Sequence, residues 1–181
     1  MESNIKDNHR KIMIYFLLFM LACIVGWVCE MLFYRIDKGC FIKRGQGFGP
    51  WLPIYGFGEL MLLPVAMRLK NSKTAVFCTC AAGAGIFEYI VGWFLLHFKG
   101  LRLWDYNIEI LNWGNIGGFI CLRSLLLFGL CGLFATYILF PYFFDRTSKM
   151  KTKTLAIQAI PLAVLFIPDF IYGYIIKLYI L

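Results

Sequence analysis

The sequence has little of what most soluble enzymes use for chemistry. Only 15% of its 181 residues are charged, and only two are histidines. It contains no G-x-x-x-x-G-K-[S/T] phosphate-binding loop, no H-E-x-x-H zinc motif and no G-x-S-x-G nucleophile motif. ATP binding through a phosphate loop in the chain itself is therefore excluded, as are the common zinc and serine hydrolase motifs.

Metal-binding patterns are also missing. The seven cysteines are odd in number and include no C-x-x-C pair. All but Cys40 lie in apolar runs, where cysteine behaves as a small buried hydrophobic residue. Cys78 and Cys80 are two positions apart, so on a helix their thiols point to different faces. His97, at the end of an apolar run, is typical of a membrane-interface residue. We predict no metal site and no cofactor.

Apolar residues are what the sequence has in abundance. They make up 61% of the chain, and the mean hydropathy is +0.73, which is far above that of an ordinary soluble domain. We predict an all-α, polytopic integral membrane helical bundle that forms a single domain over residues 1–181. The formal charge is +8, but the cations lie in short loops, where they set membrane topology. Nucleic acid is excluded as a partner.

Several apolar runs approach the roughly 20 residues that cross a bilayer. The first follows a polar start and lacks a small-residue cleavage pattern, so it is predicted to be a retained helix and not a signal peptide. Pro161 and Pro168 interrupt the last run, which could form one helix or two half-helices. About five transmembrane helices are predicted, at residues 12–33, 51–69, 74–98, 116–140 and 155–178.

Residues 44–59 are rich in glycine and proline: they hold five glycines, two prolines and four aromatic residues. Proline and glycine do not fit easily inside a regular helix, yet apolar sequence flanks the stretch on both sides. Irregular backbone at membrane depth is tolerated only where protein covers it or water reaches it. We predict a bent or partly re-entrant segment that lines a cavity. The alternative is a turn between two membrane helices, with Trp51 and Tyr55 at the interface.

The distribution of Lys and Arg predicts the orientation. Ten lie on the side of the N-terminus and seven on the opposite side, which places the N-terminus inside. In that orientation the charged residues within the spans all fall in the outer half of the bilayer. Each such charge is costly and usually marks a site or an ion pair. We predict that Arg123 pairs with Glu88 or Glu59. Other charged residues within the spans are Glu30 and Asp169.

Several motifs follow one another between Gly26 and Leu122. They resemble the bacterial membrane family labelled putative ABC-transporter type IV, or putative ABC transporter permease. The family usually has serine after W-D-Y, where this chain has Asn107, and often an arginine at the position of Phe119, for which Arg123 could substitute. The motifs are Gly26-Trp27 with Glu30, Arg44-Gly45 to Gly49-Pro50, Pro53-Ile54-Tyr55-Gly56-Phe57-Gly58, Glu88-Tyr89 with Gly92-Trp93, Trp104-Asp105-Tyr106, and Asn115 with Gly118 and Cys121.

The residues and the resemblance together predict a substrate-binding site in one outward-facing cavity, with two tryptophans at its mouth. Asp105 enters through the resemblance, because the residues alone fit a loop turn equally well. Glu30 and Glu59 lie near enough to the interface that contact with lipid headgroups is an alternative role. No catalytic residue is assigned. The predicted site residues are Arg44, Trp51, Tyr55, Glu59, Glu88, Trp104, Asp105 and Arg123.

Three functions fit these features. The resemblance implies a permease or substrate-capturing transporter subunit in the bacterial cytoplasmic membrane, with any ATPase supplied by a separate ATP-binding subunit. An intramembrane enzyme acting on a lipid or lipid-linked substrate is the second, with carboxylates as acids and bases and arginines holding an anionic headgroup. A membrane accessory or sensor protein without turnover is the third. The missing motifs weigh against an enzyme. Partners are the lipid bilayer and a small-molecule or lipid substrate.

Overall fold

The computed structural model describes residues 2–177, with side chains from residue 7 onward. This part of the chain is all-helical, at 77% helix and without strands, which confirms the predicted fold class. The elements are α1 (Glu2–Lys38), α2 (Pro53–Arg68), α3 (Lys73–Lys99), a 3₁₀ turn (Tyr106–Ile108), α4 (Leu122–Phe134), a π-helical stretch (Ala135–Leu139), α5 (Phe140–Lys149), α6 (Thr152–Phe170) and a second π-helical stretch (Ile171–Ile176).

Four helices of the described chain are long and apolar enough to cross a membrane, where about five were predicted. They comprise residues Asp7–Lys38, Lys73–Lys99, Leu122–Lys149 and Thr152–Ile176. The predicted second span corresponds to α2, which has 16 residues. At 1.5 Å per residue it is about 24 Å long, against a hydrocarbon core of about 30 Å. It is short because the irregular segment of residues 39–52 precedes Pro53.

The proline positions gave a poor guide to helix ends. The fourth span was predicted at residues 116–140, ended by Pro141, but the helix begins only at Leu122 and continues through Pro141 to Lys149. A π-helical stretch directly before Pro141 widens the turn, and such widening can accommodate the missing proline N–H. The last span is one helix that passes through both Pro161 and Pro168 and then becomes π-helical. The alternative of two half-helices is thereby excluded.

The chain divides into two compact units. The first contains the residues up to Leu60 and those from Tyr142 onward, and the second is Met61–Pro141. In the first unit α1 packs on α6, and its core includes Phe19, Trp51 and Phe166. In the second unit α3 packs along α4. The single domain predicted over the whole chain stays a prediction.

Contacts within the first unit show that α1 and α6 run in the same direction. Near the start of α1, Arg10 donates hydrogen bonds to the carbonyl groups of Thr147 and Met150, just before α6 begins. Beyond the end of α1, Phe48 donates to Asp169 near the end of α6. We expect both helices to cross the membrane, which requires an odd number of crossings between them. Since α3 and the α4–α5 helix are long and apolar enough for two crossings, we expect α2 to make the third.

We expect the N-terminus inside and the loops around residues 35–53 and 99–115 outside. Single-cysteine variants labelled from outside whole cells test this orientation. A cysteine at Asn112 should react with a membrane-impermeant thiol reagent, and a cysteine at Ser148 should react only after the cells are opened, because positive loops are retained inside. External labelling at Ser148 without labelling at Asn112 would reverse the orientation.

Candidate functional site

The irregular segment of residues 39–52 is tied to α6 by one carboxylate. Asp169 accepts hydrogen bonds from the backbone N–H groups of Phe48 at 2.6 Å and Gly49 at 3.1 Å. The indole Nε1–H of Trp51 donates to the same carboxylate at 2.7 Å. A carboxylate in a membrane protein is costly unless its oxygens are satisfied, and these three donors satisfy it. Asp169 therefore fixes the conformation of this part of the segment.

The segment approaches α6 closely because Gly47 has no side chain. A Cβ built on Gly47 would lie 2.3 Å from the Asp169 Oδ2 atom, a distance that would push the carboxylate out of place. One position earlier, the backbone N–H of Gln46 donates to the hydroxyl of Tyr174 at 3.2 Å. The end of α6 and the π-helical stretch that follows it thus form a complementary surface for the glycine-rich sequence.

Arg44 holds the same segment to α1. Its Nε–H donates to the Glu30 Oε2 atom at 2.6 Å, and its guanidinium lies 4.2 Å from the centre of the Tyr34 ring. The Tyr55 hydroxyl, on α2, donates to the other oxygen of Glu30 at 3.0 Å. Two of the predicted site residues, Arg44 and Tyr55, therefore meet at one carboxylate. Charge-assisted bonds of this kind are about twice as strong as neutral ones.

Glu59 lies one helical turn further along α2. Its Oε1 atom is buried and has no hydrogen-bond partner among the residues that the structure describes. A buried carboxylate oxygen without a donor has a desolvation cost that an incoming donor, such as a ligand N–H or O–H, would remove. Among the predicted site residues, Glu59 is therefore the one that we expect to accept a hydrogen bond from a ligand.

The loop between α3 and α4, residues 100–121, is organised around Asp105. Its Oδ1 atom accepts from the backbone N–H of Asn107 at 3.0 Å and from that residue's side-chain amide at 2.7 Å. Arg102 forms an ion pair with the same carboxylate at 2.8 Å. Asp105 thus caps the 3₁₀ turn and orients its neighbours. Asn107, which replaces the family's usual serine, takes part in this network directly.

Trp104 and Asn115 connect the two halves of this loop. The Trp104 Nε1–H donates to the carbonyl oxygen of Phe119 at 3.0 Å. The Asn115 side chain donates to the Asn107 Oδ1 atom at 2.7 Å and accepts from the backbone N–H of Gly118 at 2.8 Å. The W-D-Y and Asn115-Gly118 motifs therefore belong to one folded unit, which gives a structural reason for their occurring together.

Tyr106 joins the loop to α3. It is buried, and its hydroxyl donates to the Glu88 Oε1 atom at 2.7 Å. Burial, and secondly the neighbouring Glu88 carboxylate, raise the pKa of Tyr106 well above its ordinary value. The hydroxyl therefore keeps its proton and remains a donor to Glu88 at any physiological pH.

Arg123, at the start of α4, forms its ion pair with Glu109 at 2.6 Å. It also donates to the carbonyl oxygen of Ile110, and its guanidinium lies 5.3 Å from the centre of the Tyr106 ring. Glu88 or Glu59 was the predicted partner of Arg123, whereas Glu109, a loop residue, was not among the predicted site residues. Tyr106 contacts both Arg123 and Glu88, so the two charged groups belong to one network.

We expect the Arg123–Glu109 pair to show strong energetic coupling. Arg123→Gln and Glu109→Gln should each lower the free energy of unfolding by about 3 kcal/mol, because each removes one partner of an ion pair that is largely shielded from water. The double variant should lose less than the sum of the two single losses by about 1–3 kcal/mol. Thermal unfolding in detergent measures this coupling. The exposed Lys149–Asp145 pair is the control, with coupling below about 0.5 kcal/mol. Additive losses at both pairs would refute the assignment.

The structure thus brings the predicted site residues together in local groups. Arg44 and Tyr55 share Glu30. Trp104 and Asp105 belong to the same loop. Trp51, predicted at the mouth of a cavity, is 7% exposed in the core of the first unit. One cavity that all eight residues line stays a prediction.

Sequence reasoning did not assign site roles to Asp169 and Glu109. Asp169 was visible as a charge within an apolar run, but its partners lie about 120 positions away. Glu109 gave no signal, because acidic residues are common in loops. Within the described residues, no group of three or more His, Cys, Asp and Glu side chains could hold a metal ion.

The comparisons with known proteins add one result. The model of the family described as putative ABC-transporter type IV matches residues 17–174, which confirms the resemblance noted in the sequence. No curated protein and no solved structure matches the chain.

Proposed function

Because the chain belongs to the family described as putative ABC-transporter type IV, we propose that it is a permease or substrate-capturing membrane subunit of a transporter. It lies in the bacterial cytoplasmic membrane as a multi-pass protein with its N-terminus inside. The energy comes from a separate ATP-binding subunit, because the sequence has no phosphate-binding loop. Substrates are small molecules or lipids with polar groups.

One observation carries this proposal beyond the family match. Four apolar helices are combined with two non-helical segments whose polar groups are held in place by carboxylates on membrane helices. Asp169 orders residues 48–51, and Glu88 holds the Tyr106 hydroxyl. Charged side chains within membrane helices are costly, and such charges usually mark a functional site. Rigidly held polar groups beside apolar surface are characteristic of small-molecule sites.

The proposed binding groups are the eight residues predicted from the sequence. Glu59 is the first that we expect to contact a ligand, since its Oε1 atom is buried without a donor. Arg44 and Arg123 are engaged in ion pairs and would contribute through their positive charge. The outward-facing cavity that these residues would line is part of the proposal.

Affinity purification tests the transporter role. The tagged full-length chain is purified in mild detergent from membranes of the bacterium that encodes it, and the co-purifying proteins are identified by mass spectrometry. We expect an ATP-binding subunit in near-stoichiometric amount and ATP hydrolysis that the complex shows and the isolated chain does not. A chain that purifies alone under several detergents would contradict the proposal.

A second assay separates transport from catalysis. Purified chain is incubated with a total lipid extract from the same bacterium, and the extract is compared by mass spectrometry before and after. We expect no product. Time-dependent product formation that Glu59→Gln abolishes would favour an intramembrane enzyme, because general acid–base catalysis needs a titrating group. The matched control is Asp145→Asn, which removes an exposed carboxylate on α5.

A further inference from the structure

The turn between α5 and α6 carries a cluster of exposed cations. Arg146, Lys149, Lys151 and Lys153 all lie within eight residues and are exposed. Lys149 is paired with Asp145 at 2.7 Å. Arg146, Lys151 and Lys153 form no ion pair with any residue that the structure describes. Their charges are therefore not neutralised by any carboxylate of the described residues. We call these four residues the basic turn.

The backbone of the basic turn is held by contacts with α1, although the cationic side chains are exposed. The Arg10 guanidinium, from α1, donates to the carbonyl oxygens of Thr147 and Met150, both at 2.7 Å, and of Ser148 at 2.8 Å. These carbonyls lie at the end of α5, where a cation is favoured by the helix dipole. Leu155, in the first turn of α6, is fully buried. The backbone of the turn is thus held from both sides.

Aromatic side chains lie beside the same turn. Tyr142 is 65% exposed and Tyr15 is 45% exposed, and the Tyr15 ring contacts the Phe144 ring with centroids 6.1 Å apart. Exposed tyrosines next to apolar helices are typical of the headgroup level of a bilayer. The combination of aromatic residues and unpaired cations immediately beyond a membrane helix matches the pattern that binds anionic lipid headgroups.

We propose that the basic turn, with Tyr142 and Tyr15, is a binding surface for anionic phospholipid headgroups of the inner leaflet. The cations contribute by charge and remain exposed, so the interaction depends on ionic strength. The aromatic rings fix the depth of the turn in the interface. An acidic surface of a partner protein would be attracted by the same charges, but it would not require the exposed tyrosines at membrane level.

The test compares two lipids on the full-length chain in neutral detergent. Short-chain phosphatidylglycerol and short-chain phosphatidylcholine are titrated separately, with the midpoint of thermal unfolding as the readout and native mass spectrometry to count bound lipids. We expect phosphatidylglycerol to raise the midpoint and phosphatidylcholine to leave it nearly unchanged. Raising the salt from 0.1 to 0.5 M should remove most of the difference between the two lipids. The distance over which charges interact falls from about 10 Å at 0.1 M towards about 3 Å at 1 M.

Two charge-matched variants locate the surface. Lys151→Gln/Lys153→Gln removes two exposed, unpaired cations from the basic turn. Arg68→Gln/Lys70→Gln removes two exposed cations, one at the end of α2 and one in the turn before α3. We expect phosphatidylglycerol to bind the first variant about tenfold or more weakly and to bind the control as it binds the unmodified chain. Both variants alter exposed side chains only, so both should fold.

Three results would overturn the proposal. Equal responses to the two lipids would show that no headgroup charge is recognised. Equal losses in the two variants would show that overall charge and not this surface is responsible. If the first variant loses a co-purifying protein partner and keeps its full response to phosphatidylglycerol, the basic turn is a protein-docking surface. None of these readouts depends on transport, so the lipid proposal and the transporter proposal can fail separately.

Discussion

Asp169→Asn is expected to release residues 46–51 from α6 and to lower the free energy of unfolding by about 3 kcal/mol. The asparagine is almost the same size as the aspartate, so packing is kept and only the acceptors change. In place of one carboxylate oxygen it presents an N–H donor to the N–H groups of Gly49 or Trp51. Donors that face each other leave buried groups unsatisfied, and the hydrogen bonds to a charged acceptor are lost.

Hydrogen exchange measured by mass spectrometry follows this release directly. In the Asp169→Asn variant, peptides that cover residues 46–52 should exchange at least about tenfold faster, since 1.4 kcal/mol of local stability corresponds to a factor of ten. Asp145→Asn is the control, because that carboxylate forms only an exposed ion pair worth about 0–1 kcal/mol. Unchanged exchange of the segment in the Asp169 variant would show that other contacts hold it.

Gly118→Ala is expected to disrupt the loop between α3 and α4. Gly118 has φ +80°, and a Cβ there would lie 2.2 Å from the Arg102 Nη1 atom and 2.4 Å from the Asp105 Oδ1 atom. The left-handed conformation alone costs an alanine about 1–2 kcal/mol. The added Cβ must also displace the Arg102–Asp105 ion pair, whose Asp105 carboxylate caps the 3₁₀ turn. We therefore expect the free energy of unfolding to fall by more than about 3 kcal/mol in total.

Gly100→Ala separates these two contributions. Gly100 also has a left-handed backbone, with φ +62°, but a Cβ there meets nothing within 4 Å. Gly100→Ala should therefore lower the free energy of unfolding only by the conformational contribution, about 1 kcal/mol. Thermal unfolding of both variants in the same detergent gives the comparison. Equal losses would mean that the network around Asp105 tolerates displacement and contributes little to the loop.

Local chemistry decided which parts of the fold could be predicted. The glycines and prolines of residues 44–59 indicated irregular backbone. This is correct for residues 44–52 and wrong for residues 53–59, which form the start of α2. The apolar runs indicated membrane helices, and the predicted third span differs from α3 by one residue at each end. Pro141 misled, because a widened π-helical stretch precedes it and the helix axis continues. Pro161 and Pro168 left open whether the last span is one helix or two half-helices, and it is one helix. Helix propensity alone does not predict that a helix can continue through a proline in this way.

The candidate site shows the limit of sequence reasoning. Charge placement identified Glu30, Glu88, Arg123 and Asp169 as groups that need partners, but the partners are set by tertiary contacts. Arg123 pairs with Glu109 from the adjacent loop. The Asp169 carboxylate binds backbone N–H groups, and every residue offers such a donor, so no side-chain pattern marks them. These partners can be identified only in the folded structure.

ATP-dependent movement of a solute across the membrane tests the proposed function most directly. Inverted membrane vesicles are prepared from the encoding bacterium with and without the chain, loaded with a total metabolite extract from that bacterium, and the change in each compound is followed by mass spectrometry after ATP is added. We predict that at least one compound moves only when the chain and ATP are both present, and that Glu59→Gln reduces this movement. Identical profiles with and without the chain would contradict a transport role.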